Sequence, residues 1–184
     1  AIVLQMPLDI MAYHYSNMNN FRKAIFLDRD GVLNRERKDY VKNISELEIF
    51  PEIEIPIKKL KENGFLLIII TNQSAINRGI ITLENVQQIH QYIQNYLRKF
   101  EIEIDGFFIC PHRPDENCMC RKPKSGLILR AIDEFKIDIK SSWMIGDNDS
   151  DIIAAKNIGC KAIKIEKGLN FNQAVEKVLM GLSD

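Results

Sequence analysis

Ala24-Ile25-Phe26-Leu27-Asp28-Arg29-Asp30-Gly31 decides the fold. Four apolar residues with no polar break read as a buried strand, and the chain then turns abruptly polar. Two carboxylates two residues apart follow, with Gly31 free to make the sharp turn that can aim both at one point. The same pattern recurs downstream. Phe65 to Ile70 is a second apolar run ending in Thr71, Gly106 to Ile109 a third delivering Cys110, and Trp143-Met144-Ile145 a fourth delivering Gly146-Asp147. Lys161 to Ile165 supplies a last strand.

Helical patterns fill the intervals. Lys58 to Gly64 reads as the end of a short helix stopped by glycine, with Pro56 tolerable only in its first turn. Thr82 caps a long helix whose Val86, Ile89, Ile93, Leu97 and Phe100 share one face. Ser125 to Phe135, Asp151 to Asn157 and Asn172 to Leu182 complete the set. Strands alternating with helices predict an α/β fold with a mainly parallel sheet covered on both faces. In such sheets ligands bind beyond the carboxyl ends of the strands, where Asp28, Thr71 and Asp147 all fall.

The chain has 184 residues, room for one domain with a single core. Residues 1–23 show neither periodicity nor turn logic and read as an N-terminal extension to a domain over 24–184. Twenty-five basic residues offset twenty-five acidic ones, so no net field recommends nucleic acid or an acidic membrane. No apolar run approaches the roughly 20 residues of a membrane helix, and no good signal peptide opens the chain. A cytoplasmic monomer acting on a small molecule is the expectation.

Asp28 and Asp30 suit phosphate chemistry. One carboxylate can attack phosphorus while the other, protonated, donates to the leaving oxygen and then activates water. Two anions beside a phosphate require a cation, and Mg²⁺ is hard, oxygen-loving and content to keep waters. Asp147, followed by Asp151, supplies the distant acid for it. A hydroxyl at Thr71 and an ammonium at Lys122 suit the phosphoryl oxygens where charge collects. Arg121 can hold a second anion bidentately.

Of four cysteines, three crowd together as Cys110, Cys118 and Cys120 with His112 among them. Three thiolates and one imidazole make a closed tetrahedral set, which predicts a structural Zn²⁺ and a reducing compartment. The loop they bound ends just before Arg121 and Lys122, so the metal is expected to fix the segment presenting both cations. Cys160 stands apart as a small buried hydrophobe, and His14 and His90 are expected to face solvent.

Phe26 to Asn34, Thr71-Asn72-Gln73-Ser74, Arg121-Lys122-Pro123 and Gly146-Asp147 together resemble the four ordered motifs of the haloacid-dehalogenase-like phosphatases. Within that superfamily the chain resembles the D-glycero-D-manno-heptose 1,7-bisphosphate phosphatases and the histidinol-phosphate phosphatases, which share the zinc loop. The resemblance implies a Rossmann-like three-layer α/β/α fold and an aspartyl-phosphate intermediate. It makes Asp28 nucleophile and Mg²⁺ ligand, Asp30 general acid/base with its carbonyl on the metal, and Asp147 the remaining carboxylate.

The interval from Asp28 to Thr71 is too short for a large cap domain, so selectivity is expected from short loops. Glu36-Arg37-Lys38-Asp39-Tyr40-Val41 forms one and Ala75-Ile76-Asn77-Arg78-Gly79 a second, which follows Asn72, Gln73 and Ser74, themselves candidate substrate-binding residues. Both look more like the heptose-bisphosphate group, whereas the compact gap from His112 to Cys118 looks more like the histidinol-phosphate group. Asn148 stands where the heptose enzymes commonly carry lysine. A catalytically silent, zinc-stabilised binding module is the alternative of another class.

Overall fold

A computed structural model of the chain describes residues 21–182. The expected extension up to residue 20, His14 with it, lies outside the described residues. The main chain of Arg22 already pairs with Lys136 and Asp138, both N–H···O distances being 2.9 Å, so pairing begins ahead of Ala24.

Five parallel strands form the sheet, in the order β3-β2-β1-β4-β5. They are β1 (Ala24–Leu27), β2 (Leu66–Asn72), β3 (Gly106–Cys110), β4 (Trp143–Gly146) and β5 (Lys161–Lys164). The helices are α1 (Glu54–Glu62), α2 (Leu83–Arg98), α3 (Gly126–Phe135), α4 (Asp149–Lys156) and α5 (Phe171–Met180). The expected elements are all present, with ends displaced by a residue or two. β2 continues to Asn72, so Thr71 lies inside the strand rather than just past it. Between β1 and β2 stand only a short 3-10 turn (Ile44–Glu46) and α1, and no cap domain.

Alternation along the strands sorts the apolar side chains into two layers. Ile25, Leu27, Leu67, Ile69, Trp143, Ile145 and Ile163 pack against α1, α2 and α5. Ala24, Phe26, Ile68, Ile70, Met144 and Ala162 point to the opposite face, under α3 and α4, where Cys160 is buried as expected. A sheet buried on both faces has no polar side, which is why its strands read as unbroken apolar runs. Thr82 caps α2 through the N–H of Asn85, and Val86, Ile89, Ile93 and Leu97 are buried. Among the described residues no helix is long and apolar enough to cross a membrane.

The strand order fixes where chemistry can happen. The chain leaves β1 toward β2 and β3, then returns to lay β4 on the other side of β1. That reversal opens a crevice at the carboxyl ends of β1 and β4, the switch point where such sheets bind ligands. Asp28 and Asp147 flank it. One buried hydroxyl helps to align β1. Ser142 accepts from the Ala24 N–H at 2.9 Å and donates to the Asp138 carbonyl at 2.6 Å. Ser142→Ala would strand a buried N–H, so a loss of about 1–3 kcal/mol is expected. Urea unfolding should show a lower midpoint with an unchanged slope.

Candidate active site

After Leu27 the chain turns back on itself: Leu33 N–H reaches the Arg29 carbonyl and Gly31 N–H the Asn34 carbonyl, both at 2.8 Å. Gly31 has φ +80°, and a Cβ there would lie 1.9 Å from Asp147 Oδ2. Only glycine lets the loop after β1 press its backbone against the Asp147 carboxylate.

Asp28 is mostly enclosed. Its Oδ1 accepts from the Arg29 N–H at 2.7 Å, and its Oδ2 lies 2.9 Å from Lys122 Nζ. Burial, together with the Asp151 and Asp30 charges, pushes its carboxyl up to about 6 against the opposing pull of Lys122. Asp147 is likewise raised to about 6, by burial first and then by the charges of Asp28 and Glu36. Carboxylate oxygens of Asp28, Asp147 and Asp151 lie within 4.8 Å of one another.

Asp151 belongs to this acidic group. It is fully buried, with Lys122 Nζ 2.6 Å from its Oδ1 as an ionic partner and the Asn148 N–H on its Oδ2 at 3.1 Å. Oδ1 thus has an ionic contact but no hydrogen bond, and Oδ2 is hydrogen-bonded. Lys122 in turn donates to the Ile70 carbonyl at 2.7 Å. Burial alone would lower its ammonium, but Asp28 and Asp151 outweigh that and raise it, so it stays charged.

Asp30 points its carboxylate into a polar frame. The Arg29 Nη2 reaches both oxygens, at 2.9 and 2.8 Å, while Asn34 Nδ2 donates at 2.8 Å and Gln73 Nε2 at 2.9 Å. Burial acts to raise its pKa, but the Arg29 charge and these hydrogen bonds leave it below the ordinary value. The same Gln73 amide donates to Thr71 Oγ1 at 2.9 Å. Asp28, Asp30, Thr71, Gln73, Lys122 and Asp147 thus meet at one strand edge.

The expected substrate-binding residues divide. Asn72 brackets the main chain of Lys122, accepting its N–H and donating to its carbonyl, each at 3.1 Å. That side chain is a clamp. Arg37, Asp39, Lys42 and Glu46 form an exposed ion network of their own. Tyr40 packs against Ala75, Ile81 and Val86, and Ser74 is buried. Glu36, Lys38 and Arg78 are exposed, and Arg121 donates to the His112 carbonyl at 3.2 Å.

Cys110, His112, Cys118 and Cys120 converge. The three Sγ–Sγ separations are 3.3, 3.5 and 3.7 Å, and His112 Nδ1 lies 3.5 and 3.2 Å from Cys110 and Cys120. A tetrahedral zinc with Zn–S near 2.3 Å needs S···S edges of about 3.8 Å, so the cluster is slightly tight but of the right shape. Burial acts to raise the Cys118 thiol, yet the Arg121 N–H and the Cys120 contacts bring it down to about 7.

Two site-adjacent residues escaped the sequence reading. Arg29 is fully buried, and His90, expected in solvent, is buried and stacked on Phe107 at 4.5 Å between centroids. His90 lies four residues past Val86 and beside Ile89, so helical periodicity alone would have turned it inward.

A HAD-hydrolase-like family model matches residues 119–179. The D-glycero-beta-D-manno-heptose-1,7-bisphosphate 7-phosphatase of Helicobacter pylori strain 26695 is 45% identical over 77% of this chain and 82% of its own. The chain belongs to this phosphatase family of the HAD-like hydrolases. A probable D-glycero-D-manno-heptose-1,7-bisphosphate 7-phosphatase of Thermoplasma acidophilum is 38% identical over 79% of this chain and 91% of its own. Among solved structures, the D,D-heptose 1,7-bisphosphate phosphatase from B. bronchiseptica complexed with magnesium and phosphate superposes with a TM-score of 0.78. It is 27% identical and covers 86% of this chain and 99% of that one.

Within this heptose-bisphosphate phosphatase family, the chain's Asn148 does a local job, capping α4 through the Ser150 N–H. Lys164, from the end of β5, feels the Asp147 charge and binds Asp149 at 2.6 Å. A cation thus stands near Asp147 although Asn148 supplies none. The tightest constraint is Gly31. Gly31→Ala should displace Asp147 and lower phosphatase kcat/KM by about 10²-fold or more, since misplacement of about 1 Å suffices for that. The measurement is steady-state kinetics on protein whose circular dichroism matches the wild type.

Proposed function

We propose that this chain is a Mg²⁺-dependent phosphatase that removes the 7-phosphate of D-glycero-D-manno-heptose 1,7-bisphosphate through an aspartyl-phosphate on Asp28. The observation that carries the reading is the placement of Asp28 at the switch point, with Lys122 2.9 Å from one oxygen and Asp147 alongside. The identity to phosphatases named for that substrate supports the choice of sugar.

Asp28 attacks phosphorus and Lys122 and Thr71 stabilise the charge that gathers on the phosphoryl oxygens. Asp30 gives a proton to the leaving C7 oxygen, for which one of its oxygens must leave the Arg29 fork and take up a proton. It then accepts a proton from the water that cleaves the Asp28 ester. Arg78 and Arg121 supply cations for the second phosphate, whose binding energy orients the first. Arg121 Nη1 donates to the His112 carbonyl, so the remaining donors of its fork are the ones that read the anion.

The donor sets fit two metals. Asp28 and Asp147 are both raised toward neutrality by burial first and then by neighbouring carboxylates, a strain that a hard divalent cation relieves. They would hold Mg²⁺ together with the Asp30 carbonyl, and the ion when bound neutralises phosphate charge and aligns it for in-line attack. Cys110, His112 through Nδ1, Cys118 and Cys120 would hold Zn²⁺ with no open position, a structural role suited to a reducing cytoplasm.

The test is a comparison of kcat/KM for heptose 1,7-bisphosphate, histidinol phosphate and an aryl phosphate. The bisphosphate should lead, and Arg121→Ala should hurt it far more than the monophosphates. A preference for histidinol phosphate would overturn the sugar assignment, and full activity in Asp28→Asn would overturn the mechanism.

Metal dependence has a predictable pH course. With both carboxyls raised to about 6, protons compete with Mg²⁺ below that pH, and the metal-free protein loses their share of stability as pH rises through about 6. The Tm gain on adding Mg²⁺ should therefore be small at pH 5 and grow to a plateau near pH 7. Zinc should co-purify at about one per chain and survive a chelator treatment that removes Mg²⁺. Elemental analysis that found none would sink the cysteine assignment.

A further inference from the structure

Behind Asp30 stands a buried column that the reaction as described does not use. Arg29, between the two acids, is 1% exposed. Its Nη2 spans both Asp30 oxygens at 2.9 and 2.8 Å, its Nε approaches Oδ1 at 3.3 Å, and its Nη1 meets His90 Nε2 at 3.4 Å. A guanidinium has donors only, so Nε2 must be the acceptor and the His90 proton sits on Nδ1. Burial, followed by the Arg29 charge, keeps this ring neutral, its pKa lowered to about 3. Phe107 stacks on it with planes 18° apart, so the imidazole cannot swing away from the arginine without breaking the packing between α2 and β3.

Burying an ion pair is a poor route to stability, because apolar residues of similar volume do as well or better. What the pair does supply is geometry. A planar fork on a planar carboxylate fixes its orientation, and the amides of Asn34 and Gln73 close the frame from the other sides. We infer that Arg29, braced by His90, is a positioning residue that sets the Asp30 carboxylate for both of its proton transfers. Neither side chain is assigned a contact with the phosphate or the leaving group, and both act through the Asp30 carboxylate. The inference rests on Asp30 being the general acid/base, and the test separates the two.

In the first step the bond from Asp28 to phosphorus forms, the bond to the leaving oxygen breaks, and the Asp30 proton passes to that oxygen. In the second, water bonds to phosphorus, its proton passes to the Asp30 carboxylate, and the bond to Asp28 breaks. A p-nitrophenolate leaving group needs no proton, so only its second step depends on Asp30. The ratio kcat/KM reports through the first irreversible step, while kcat includes the second.

The experiment compares p-nitrophenyl phosphate with the alkyl phosphate that wild-type enzyme prefers, in Asp30→Asn, Arg29→Lys and His90→Phe. Asp30→Asn should lower kcat/KM on the alkyl ester by about 10²- to 10⁴-fold, the usual share of acid–base catalysis, and lower the aryl kcat/KM by far less. With the aryl ester its kcat and KM should fall together as the phosphorylated enzyme accumulates.

Arg29→Lys keeps the charge and loses the fork, so it should show the same pattern at about 10- to 100-fold. His90→Phe keeps the stack on Phe107 and loses the acceptor, and should show the pattern more weakly. The aryl kcat/KM measures active enzyme throughout, so partial misfolding lowers every value alike. If Arg29→Lys does not fold, His90→Phe decides. Should Asp30→Asn show the leaving-group pattern while both other variants lower all substrates equally or none, the column is a structural ion pair and the inference fails. Should Asp30→Asn itself lack the pattern, the acid–base reading fails first, and the positioning role with it.

Discussion

The Lys122 ammonium is the tie on which the site depends. Within 2.9 Å it meets the Ile70 carbonyl of β2, Asp28 at the end of β1 and Asp151 in the first turn of α4. Three segments remote in sequence are fastened by one buried cation. Removing it would leave two buried carboxylates facing each other without compensation, a far larger cost than the pair contributes over an apolar replacement. Asp151 matters for the same reason: it shares the lysine charge, so Asp28 is oriented without being fully neutralised.

The loop carrying Lys122 is held just as firmly. Asn72 clamps the lysine's main chain, and the Arg121 N–H points at Cys118 Sγ, so the sulfur cluster and the ammonium are consecutive fixtures on one strand of chain. The cluster also reaches the loop after β2. Gln73 N–H meets the Cys110 carbonyl at 2.8 Å, and the Asn77 amide grips the Glu116 carboxylate at 3.0 and 3.1 Å. The segments bearing Thr71, Arg78, Arg121 and Lys122 are therefore cross-linked by hydrogen bonds. A domain without a cap has no lid to complete its site, and cross-bracing of short loops replaces one.

How much could be read in advance follows from the range of each interaction. Unbroken apolar runs announced a sheet buried on both faces, and acids at the ends of those runs announced where chemistry would sit. Cys110, His112, Cys118 and Cys120 lie within eleven residues of one another, so their convergence was legible from spacing alone. His90 was misplaced because a polar residue on an amphipathic helix was weighed by type rather than by its position in the repeat. Asn72, between Thr71 and Gln73 in one motif, bonds the main chain of Lys122, a contact that only the path of the Lys122 loop brings about.

Legible from the residues alone are the alternation of strands and helices, the paired acids Asp28 and Asp30 after the first strand, and the four residues of the sulfur cluster. Each depends on local pattern, on residue chemistry or on spacing within about ten residues. Tertiary structure alone decided that Asp151 serves Lys122, that Asn72 is a clamp and that Arg29 and His90 stand behind Asp30. Those assignments depend on which side chains meet across strands ordered β3-β2-β1-β4-β5. A buried charge takes whatever partner the packing brings within about 3 Å, and no one-dimensional spacing records that distance.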